Sequence, residues 1–200
     1  YYWDANGVTD GTGGNGTWAN ANTWRDSSGT GALGNWVDGN TAVFGGTTGT
    51  TTVGANVAVT GLTFNAANHS VIGTGKVDFG AGGVINFSAA TNGVKLTAPL
   101  AGTVTIAPVA GNVGSATTAY IKADSPDLVS ITLSGNNPDR NVILDHVGAF
   151  GPAGLSATIS NAVLGLGALP AEAIGQGTAN GSGGGLSFNA WNLSLAGGIR

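Results

Sequence analysis

Short runs of β-branched or aromatic residues alternate with Gly and Asn along the chain from residue 47 onward. Within each run the apolar residues stand two positions apart, which is the period of a β-strand that buries one face. Because such runs recur roughly every 8–12 residues, the pattern predicts an all-β protein. The clearest runs are residues 57–59, 62–64, 77–79, 85–87, 104–106 and 131–133.

The spacing of similar runs favours one all-β architecture over another. Matching runs begin at Leu62, Ile85, Val104 and Ile131, at successive spacings of 23, 19 and 27 residues. Segment 61–66 also reappears, nearly unchanged, as segment 185–190. Repeats of this length suit one coil of a β-solenoid, whereas a β-sandwich needs longer strands joined by hairpins of fixed type. We therefore predict a β-solenoid and keep the β-sandwich as the alternative.

The first 46 residues differ from the rest in composition. They contain four of the five Trp residues and four Asn-Gly or Asp-Gly pairs, which favour tight turns. We therefore divide the chain into a Trp- and Gly-rich N-terminal cap or turn-rich segment, residues 1–46, and solenoid coils over residues 47–200. Within the coils we predict a Gly-rich loop near 175–185 and one helical turn at 170–174, which starts with Pro.

Aromatic residues of the N-terminal segment have two candidate roles. Exposed, they would stack on sugar rings; buried, they would close the open end of a solenoid, which otherwise exposes apolar core and unpaired strand edges. Buried aromatic side chains dominate packing of this kind, so we favour the cap and keep sugar binding as the alternative. The residues concerned are Trp18, Trp24, Trp36 and Phe44.

Composition and charge exclude several classes of protein. Only 8% of the residues are charged and one is Glu, so neither a helical bundle nor a charged disordered chain is expected. The net charge of −4 and the scattered Lys and Arg residues argue against nucleic-acid binding. No apolar run approaches the ~20 residues of a membrane-spanning helix. Few charges, much Thr, Asn and Gly and no Cys indicate an extracellular or bacterial cell-surface protein, and the absence of Met indicates that a signal peptide or an upstream region has been removed or is not included in this sequence.

Candidate metal ligands occur near the N-terminus. Asp4, Asn6 and Asp10 alternate like the front of a calcium loop, but the bidentate Glu that completes such a loop is missing. Turn formation explains the same residues without an ion. We predict no cofactor and keep Ca²⁺ at Asp4, Asn6 and Asp10 as an alternative.

Catalytic motifs do not stand out. The glycines of residues 11–16 match a dinucleotide fingerprint but lack the strand and helix that the chemistry requires. His69 is predicted in an exposed turn, and His146 forms no relay with its neighbour Asp145, because adjacent strand residues face opposite ways. A polysaccharide-cleaving β-helix would need to gather several acids beside a base, but turn formation explains these acids without catalysis. We predict no enzymatic activity; the acids and the base are Asp124, Asp127, Asp139, Asp145 and Arg140.

The two termini are candidates for self-association. An extended aromatic segment at the start of the chain could add to the sheet edge of a neighbouring copy, and the last strand stays apolar and alternating. A contact between two different surfaces propagates as a filament, so we predict head-to-tail homopolymers. The residues concerned are Tyr1, Tyr2 and Trp3 at one end and Leu193, Leu195 and Ile199 at the other.

Five sequence motifs within the first 66 residues together carry a resemblance to a known family. They are Trp3-Asp4 with Gly7, Gly16-Thr17-Trp18, Asn22-Thr23-Trp24, segment 36–45 and segment 57–64. Over residues 3–66 the chain resembles bacterial autotransporter-associated β-strand repeat proteins, and beyond about residue 90 the similarity is one of composition. The resemblance implies a right-handed β-helix at the cell surface, as adhesin, matrix or passenger material, and it supplies no catalytic residues.

These observations lead to one interpretation and two alternatives. We interpret the chain as an extracellular structural protein, a surface scaffold or adhesin-like module that self-assembles into filaments or matrix. Its partners are then other copies of itself and cell-surface polysaccharide. A carbohydrate-binding adhesin and a polysaccharide-cleaving β-helix enzyme are the alternatives; exposed coplanar Trp rings would favour the first, and carboxylates gathered in one groove the second.

Overall fold

The computed structural model describes residues 1–7, 12–26, 29–88, 92–107, 117–123, 125–134, 141–145, 155–160 and 191–196. Within these ranges the protein is all-β, with 17 strands and no helix. The strands are β1 Tyr2–Trp3, β2 Gly16–Thr17, β3 Trp24–Arg25, β4 Leu33–Gly34, β5 Asn40–Phe44, β6 Thr50–Val53, β7 Val57–Phe64, β8 Ser70–Gly73, β9 Val77–Asp78, β10 Gly83–Phe87, β11 Val94–Leu96, β12 Leu100–Ile106, β13 Thr117–Lys122, β14 Leu128–Ser134, β15 Asn141–Asp145, β16 Leu155–Ser160 and β17 Trp191–Ala196.

Two sheets, parallel except where β3 pairs with β1 and β4, form the walls of a β-solenoid. The larger has the order β17-β16-β14-β12-β10-β7-β5-β1-β3-β4, and the smaller has the order β15-β13-β11-β8-β6-β2. From β5 to β15 the strands, apart from β9, alternate between the two sheets and pair in parallel with strands one coil away, which is the topology of a solenoid. The short β9 pairs with β7 and β12. The predicted β-solenoid is confirmed in preference to the β-sandwich, and its right-handedness stays a prediction.

The register of the coils follows the apolar alternation of the sequence. Leu62 pairs with Ile85, as the 23-residue spacing predicts, and Val104 pairs with Ile131, as the 27-residue spacing predicts. The predicted pairing of Ile85 with Val104, 19 residues later, is wrong by two positions. Ile85 pairs with Ile106 instead. A slip of two residues keeps the same side chains facing the core, so the alternation alone does not distinguish the two registers.

Aromatic rings stack along the solenoid from one coil to the next. Phe44, Phe64 and Phe87 occupy equivalent register positions, and their ring centroids are 5.1 Å and 5.6 Å apart with near-parallel planes. All three side chains are buried. Parallel in-register strands place equivalent side chains about 4.8 Å apart, so repetition of one aromatic residue per coil gives a continuous apolar column.

One coil corner requires glycine. Gly73 ends β8 with a φ of 128°, and a Cβ placed there would lie 2.2 Å from the carbonyl oxygen of Val53 in the preceding coil. L-residues rarely adopt this φ, and the approach of the two backbones leaves no room for a side chain. Gly punctuation between the runs therefore allows the chain to turn close to the neighbouring coil.

The structure describes the predicted N-terminal segment but not the predicted loop and helical turn near the C-terminus. Residues 1–46 contribute strands to both sheets, since β1 pairs with β5 and β2 pairs with β6. The boundary at 46 stays a prediction. The Gly-rich loop near 175–185, the helical turn at 170–174 and the repeated segment 185–190 lie outside the described residues.

Candidate functional site

Five aromatic side chains meet at the end of the larger sheet where its strands become antiparallel. Trp3 on β1 and Trp24 on β3 are cross-strand partners, and their ring centroids are 5.0 Å apart in an edge-to-face arrangement. Trp18 lies 4.8 Å from Trp24 and 5.7 Å from Phe44, and Trp36 lies 4.8 Å from Trp24. We call Trp3, Trp18, Trp24, Trp36 and Phe44 the Trp cluster. The Trp3–Trp24 and Trp18–Phe44 contacts are edge-to-face, a geometry that is favourable beyond the burial of the rings themselves, and the other two contacts are tilted.

Burial separates the members of the Trp cluster into two groups. Trp3, Trp18, Trp24 and Phe44 have no exposed surface. They therefore offer no face to a sugar in this structure. Trp36 is half-buried and packs against the core from its edge. Of the four aromatic residues predicted as cap or sugar platform, Trp36 alone keeps solvent-exposed area.

A pocket of about 280 Å³ opens beside Trp36. Its apolar wall combines the rings of Trp18 and Trp36 with small aliphatic side chains, and its polar wall carries two amides and one carboxylate. The sequence analysis missed the polar wall, because Asn35 and Asp38 lie in the loop between β4 and β5 and Asn56 lies in the loop between β6 and β7. The lining residues are Trp18, Ala19, Ala21, Asn35, Trp36, Asp38, Asn56 and Val57.

Each polar side chain of this pocket is held through one oxygen. Asp38 Oδ1 accepts the indole N–H of Trp36 at 2.9 Å and the backbone N–H of Ala58 at 3.0 Å. Asn56 Oδ1 accepts the backbone N–H of Lys76 at 3.0 Å. Asn35 Oδ1 accepts the backbone N–H of Asn22 at 3.2 Å. These bonds connect neighbouring coils or loops, so the polar wall is fixed by the fold.

The buried carboxylate of Asp4 forms an ion pair with Arg25. Asp4 has no exposed surface; its Oδ2 accepts from Arg25 Nε, and its Oδ1 accepts the backbone N–H of Gly7 at 3.0 Å. Arg25 also donates to the carbonyl oxygen of Gly31 at 2.8 Å. A calcium ion at the predicted site would have to compete with this guanidinium for Asp4. Asn6 Oδ1 is buried without a partner among the described residues, and Asp10 lies outside them, so Ca²⁺ binding stays a prediction.

His69 lies in the core, and the predicted exposed turn is wrong. Its side chain has no exposed surface, and its ring centroid is 4.8 Å from that of Phe44. His69 Nε2 and Thr51 Oγ1 share a hydrogen bond of 3.0 Å, while Nδ1 has no partner among the described residues. Burial lowers the pKa of His69 from 6.5 to about 4. The local sequence is polar, so the burial of this ring beside Phe44 follows from the geometry of the coil and not from the local pattern.

We expect the protein to lose stability as the pH falls from 6.5 to about 4. The unfolded chain takes up a proton at His69 in this range and the folded chain does not, so protonation favours unfolding by roughly 3 kcal/mol at the lower limit. Above pH 6.5 this contribution is constant. Urea unfolding at several pH values measures the slope.

A double variant isolates the contribution of His69. Thr51→Val with His69→Phe keeps an aromatic ring beside Phe44 and leaves no buried hydroxyl without its partner. Its stability should vary much less between pH 6.5 and 4 than that of the wild type. Equal slopes in the two proteins would contradict the assignment.

The candidate self-association residues have different surroundings. β1 already has a neighbour on each side, β3 and β5, and the amino group of Tyr1 donates to the carbonyl oxygen of Thr41 at 2.8 Å. Tyr2 and Trp3 are therefore inner sheet residues and present no free backbone edge. Leu193 and Leu195 belong to β17, which pairs with β16. Ile199 lies outside the described residues, and self-association stays a prediction.

The acidic residues considered for polysaccharide cleavage are only partly described. Asp127 is exposed and forms an ion pair with Lys76. Asp145 ends β15, and Asp124, Asp139 and Arg140 lie outside the described residues. In the part of the chain that the structure describes, no three His, Asp or Glu side chains gather as a metal site would require. The same part has no helix that is long and apolar enough to cross a membrane.

Comparisons with known proteins give one similarity. No family model matches the chain, and no solved structure matches it. Over 77 residues the chain is 36% identical to the protein named Adhesin BmaC autotransporter from Brucella suis biovar 1 (strain 1330). The match covers 36% of this chain and 2% of that much longer protein. A stretch of this β-solenoid is thus similar to a small part of an autotransporter adhesin.

Proposed function

We propose that this chain is a β-solenoid portion of an autotransporter-type adhesin at the bacterial cell surface. The observation that carries the proposal is the 36% identity to an autotransporter adhesin in a chain that folds as a β-solenoid. A solenoid extends by adding coils and presents long outer faces, which suits a protein that projects a binding surface from a cell. Few charged residues and a polar, Gly-rich composition are consistent with this location.

The Trp cluster supports the predicted role of the N-terminal segment as a cap. Beyond β5 the larger sheet continues through β1, β3 and β4, and the last two pairings are antiparallel. The end strand β4 has only two residues, and short edge strands limit pairing with other chains. We infer that the Trp rings close the apolar interior where the parallel coils end.

Self-assembly into filaments or matrix belongs to the same proposal. Parallel coils leave backbone N–H and C=O groups at a solenoid end, and head-to-tail contact between copies would satisfy them. With β1 inside the sheet, such contact would use an end strand rather than the first three residues. Sedimentation velocity over a range of concentrations should show species that grow with concentration. A monomer at all concentrations would contradict this part of the proposal.

The role that we propose is structural and binding rather than enzymatic. The one acid of the considered set with a described side chain, Asp127, is exposed and ion-paired on the surface. Incubation with acidic polysaccharides should therefore release no reducing ends. Cleavage that is lost on replacement of Asp124, Asp139 or Asp145 would favour the enzyme alternative.

Surface labelling tests the proposed location. An antibody raised against the purified chain should bind intact cells of the source organism, and protease added outside the cells should remove the signal. A cytosolic protein of the same cells should remain unlabelled until lysis. Deletion of the gene should lower the number of cells that adhere to a coated surface. Labelling only after lysis would contradict the proposal.

A further inference from the structure

We propose that the pocket beside Trp36 binds a neutral saccharide of one or two rings. The saccharide is the ligand class that we assign to the adhesin proposed above. Its biological role rests on that proposed function, but binding to the pocket can be tested without it. Saccharides present an apolar ring face together with hydroxyl groups that both donate and accept hydrogen bonds. The pocket offers a half-exposed indole, small aliphatic side chains and three polar side chains within one concave surface.

The polar wall supplies both donors and acceptors. One atom of each side chain is already bonded to the backbone or to Trp36, which fixes the side chain in place. Asp38 Oδ2 and the amide nitrogens of Asn35 and Asn56 have no partner among the described residues. A carboxylate oxygen accepts from a hydroxyl and an amide N–H donates to one, so adjacent sugar hydroxyls find complementary groups. Fixing these groups before binding lowers the entropy that a ligand must lose.

Trp18 forms the buried part of the apolar wall. Its side chain lines the pocket and has no exposed surface, and its indole N–H has no hydrogen-bond partner among the described residues. Because Nε1 is itself buried, it does not contact a ligand in this structure. The ring that the pocket presents to a ligand is therefore that of Trp36.

Size and charge narrow the ligand class. A volume of about 280 Å³ is at the small end of ligand pockets, which suits a monosaccharide or disaccharide. Among the described residues that line the pocket, Asp38 has the one acidic side chain and none has a basic side chain. A uronic acid would place a second carboxylate beside it, and like charges at short distance repel. The site therefore favours neutral sugars over the acidic sugars that pectin-cleaving enzymes use.

Titration calorimetry on the full chain tests the site. The probes are cellobiose, maltose, N,N′-diacetylchitobiose and digalacturonate. We expect at least one neutral disaccharide to bind with a dissociation constant of about 1 mM, as suits a small ligand in a shallow site, and digalacturonate to bind more weakly. No binding of any neutral probe would overturn the proposal, and so would a preference for digalacturonate.

Two matched variants locate the binding. Asp38→Asn keeps an oxygen for the Trp36 and Ala58 N–H groups but removes the charge, and affinity should fall about tenfold. Asp78→Asn is the control, because Asp78 is also exposed and also accepts a backbone N–H, that of Gly80 at 2.8 Å. It should bind as the wild type does. Equal affinities in the two variants would overturn the assignment to this pocket.

A third variant fills the pocket without removing a contact. Ala21 is exposed and lines the pocket, so Ala21→Phe should abolish binding while the unfolding midpoint stays near that of the wild type. Unchanged binding would place the saccharide elsewhere and overturn the proposal. Surface labelling of cells does not depend on this pocket. Failure to bind saccharide would therefore contradict the pocket assignment alone, and failure of surface labelling would contradict the proposed location.

Discussion

Trp24→Ala is expected to lower the free energy of unfolding by about 4 kcal/mol, the usual loss for a fully buried large aromatic residue. Trp24 has no exposed surface and lies within 5.0 Å of the rings of Trp3, Trp18 and Trp36. Its indole N–H also donates to the carbonyl oxygen of Trp18 at 2.9 Å. The variant loses ring packing and leaves that oxygen without its donor. Denaturant unfolding followed by circular dichroism measures the loss.

Hydrogen exchange shows whether the Trp cluster acts as a cap. If it does, Trp24→Ala should speed amide exchange in β1, β3 and β5 more than in β12, several coils away. Phe87→Ala is the comparison, since it removes a buried ring at the other end of the Phe44–Phe64–Phe87 stack, away from the Trp cluster. A uniform change over all strands in Trp24→Ala would show that the cluster contributes stability without a specific role at the solenoid end.

Asp4→Ala is expected to cost about 3–5 kcal/mol, because it leaves the guanidinium of Arg25 without its buried partner. The backbone N–H of Gly7 loses its acceptor in the same variant. Arg25 keeps its bond to the carbonyl oxygen of Gly31, which does not neutralise its charge. The free energy of unfolding should therefore fall sharply, and added salt should restore little of it.

An exposed ion pair provides the matched control for Asp4. Asp127 and Lys76 lie on the surface, with side chains 46% and 41% exposed, so Asp127→Ala should cost at most about 1 kcal/mol. The double variant Asp4→Ala with Arg25→Leu should recover part of the loss, since no buried charge remains. Similar losses in Asp4→Ala and Asp127→Ala would contradict the difference in burial.

The sequence determined the fold class and part of the coil register. Alternating apolar residues define strands because side chains of a strand point to opposite faces in turn, which is a local property. The repeat of similar runs then predicted parallel coils, and the pairing of Leu62 with Ile85 agrees with the spacing read from the chain. The step from Ile85 to Ile106 could not be determined in this way, because a slip of two residues preserves the alternation.

The tertiary structure decided which polar residues lie inside and which meet in a pocket. His69 stands in a polar stretch, yet the coil places it against Phe44 in the core. Asp4 was considered as a calcium ligand, and the fold pairs it with Arg25. Asn56, from the loop between β6 and β7, shares one wall beside Trp36 with Asn35 and Asp38, from the loop between β4 and β5. These contacts join residues many positions apart, so they depend on the length and register of whole coils, whereas local alternation depends only on the neighbours of each residue.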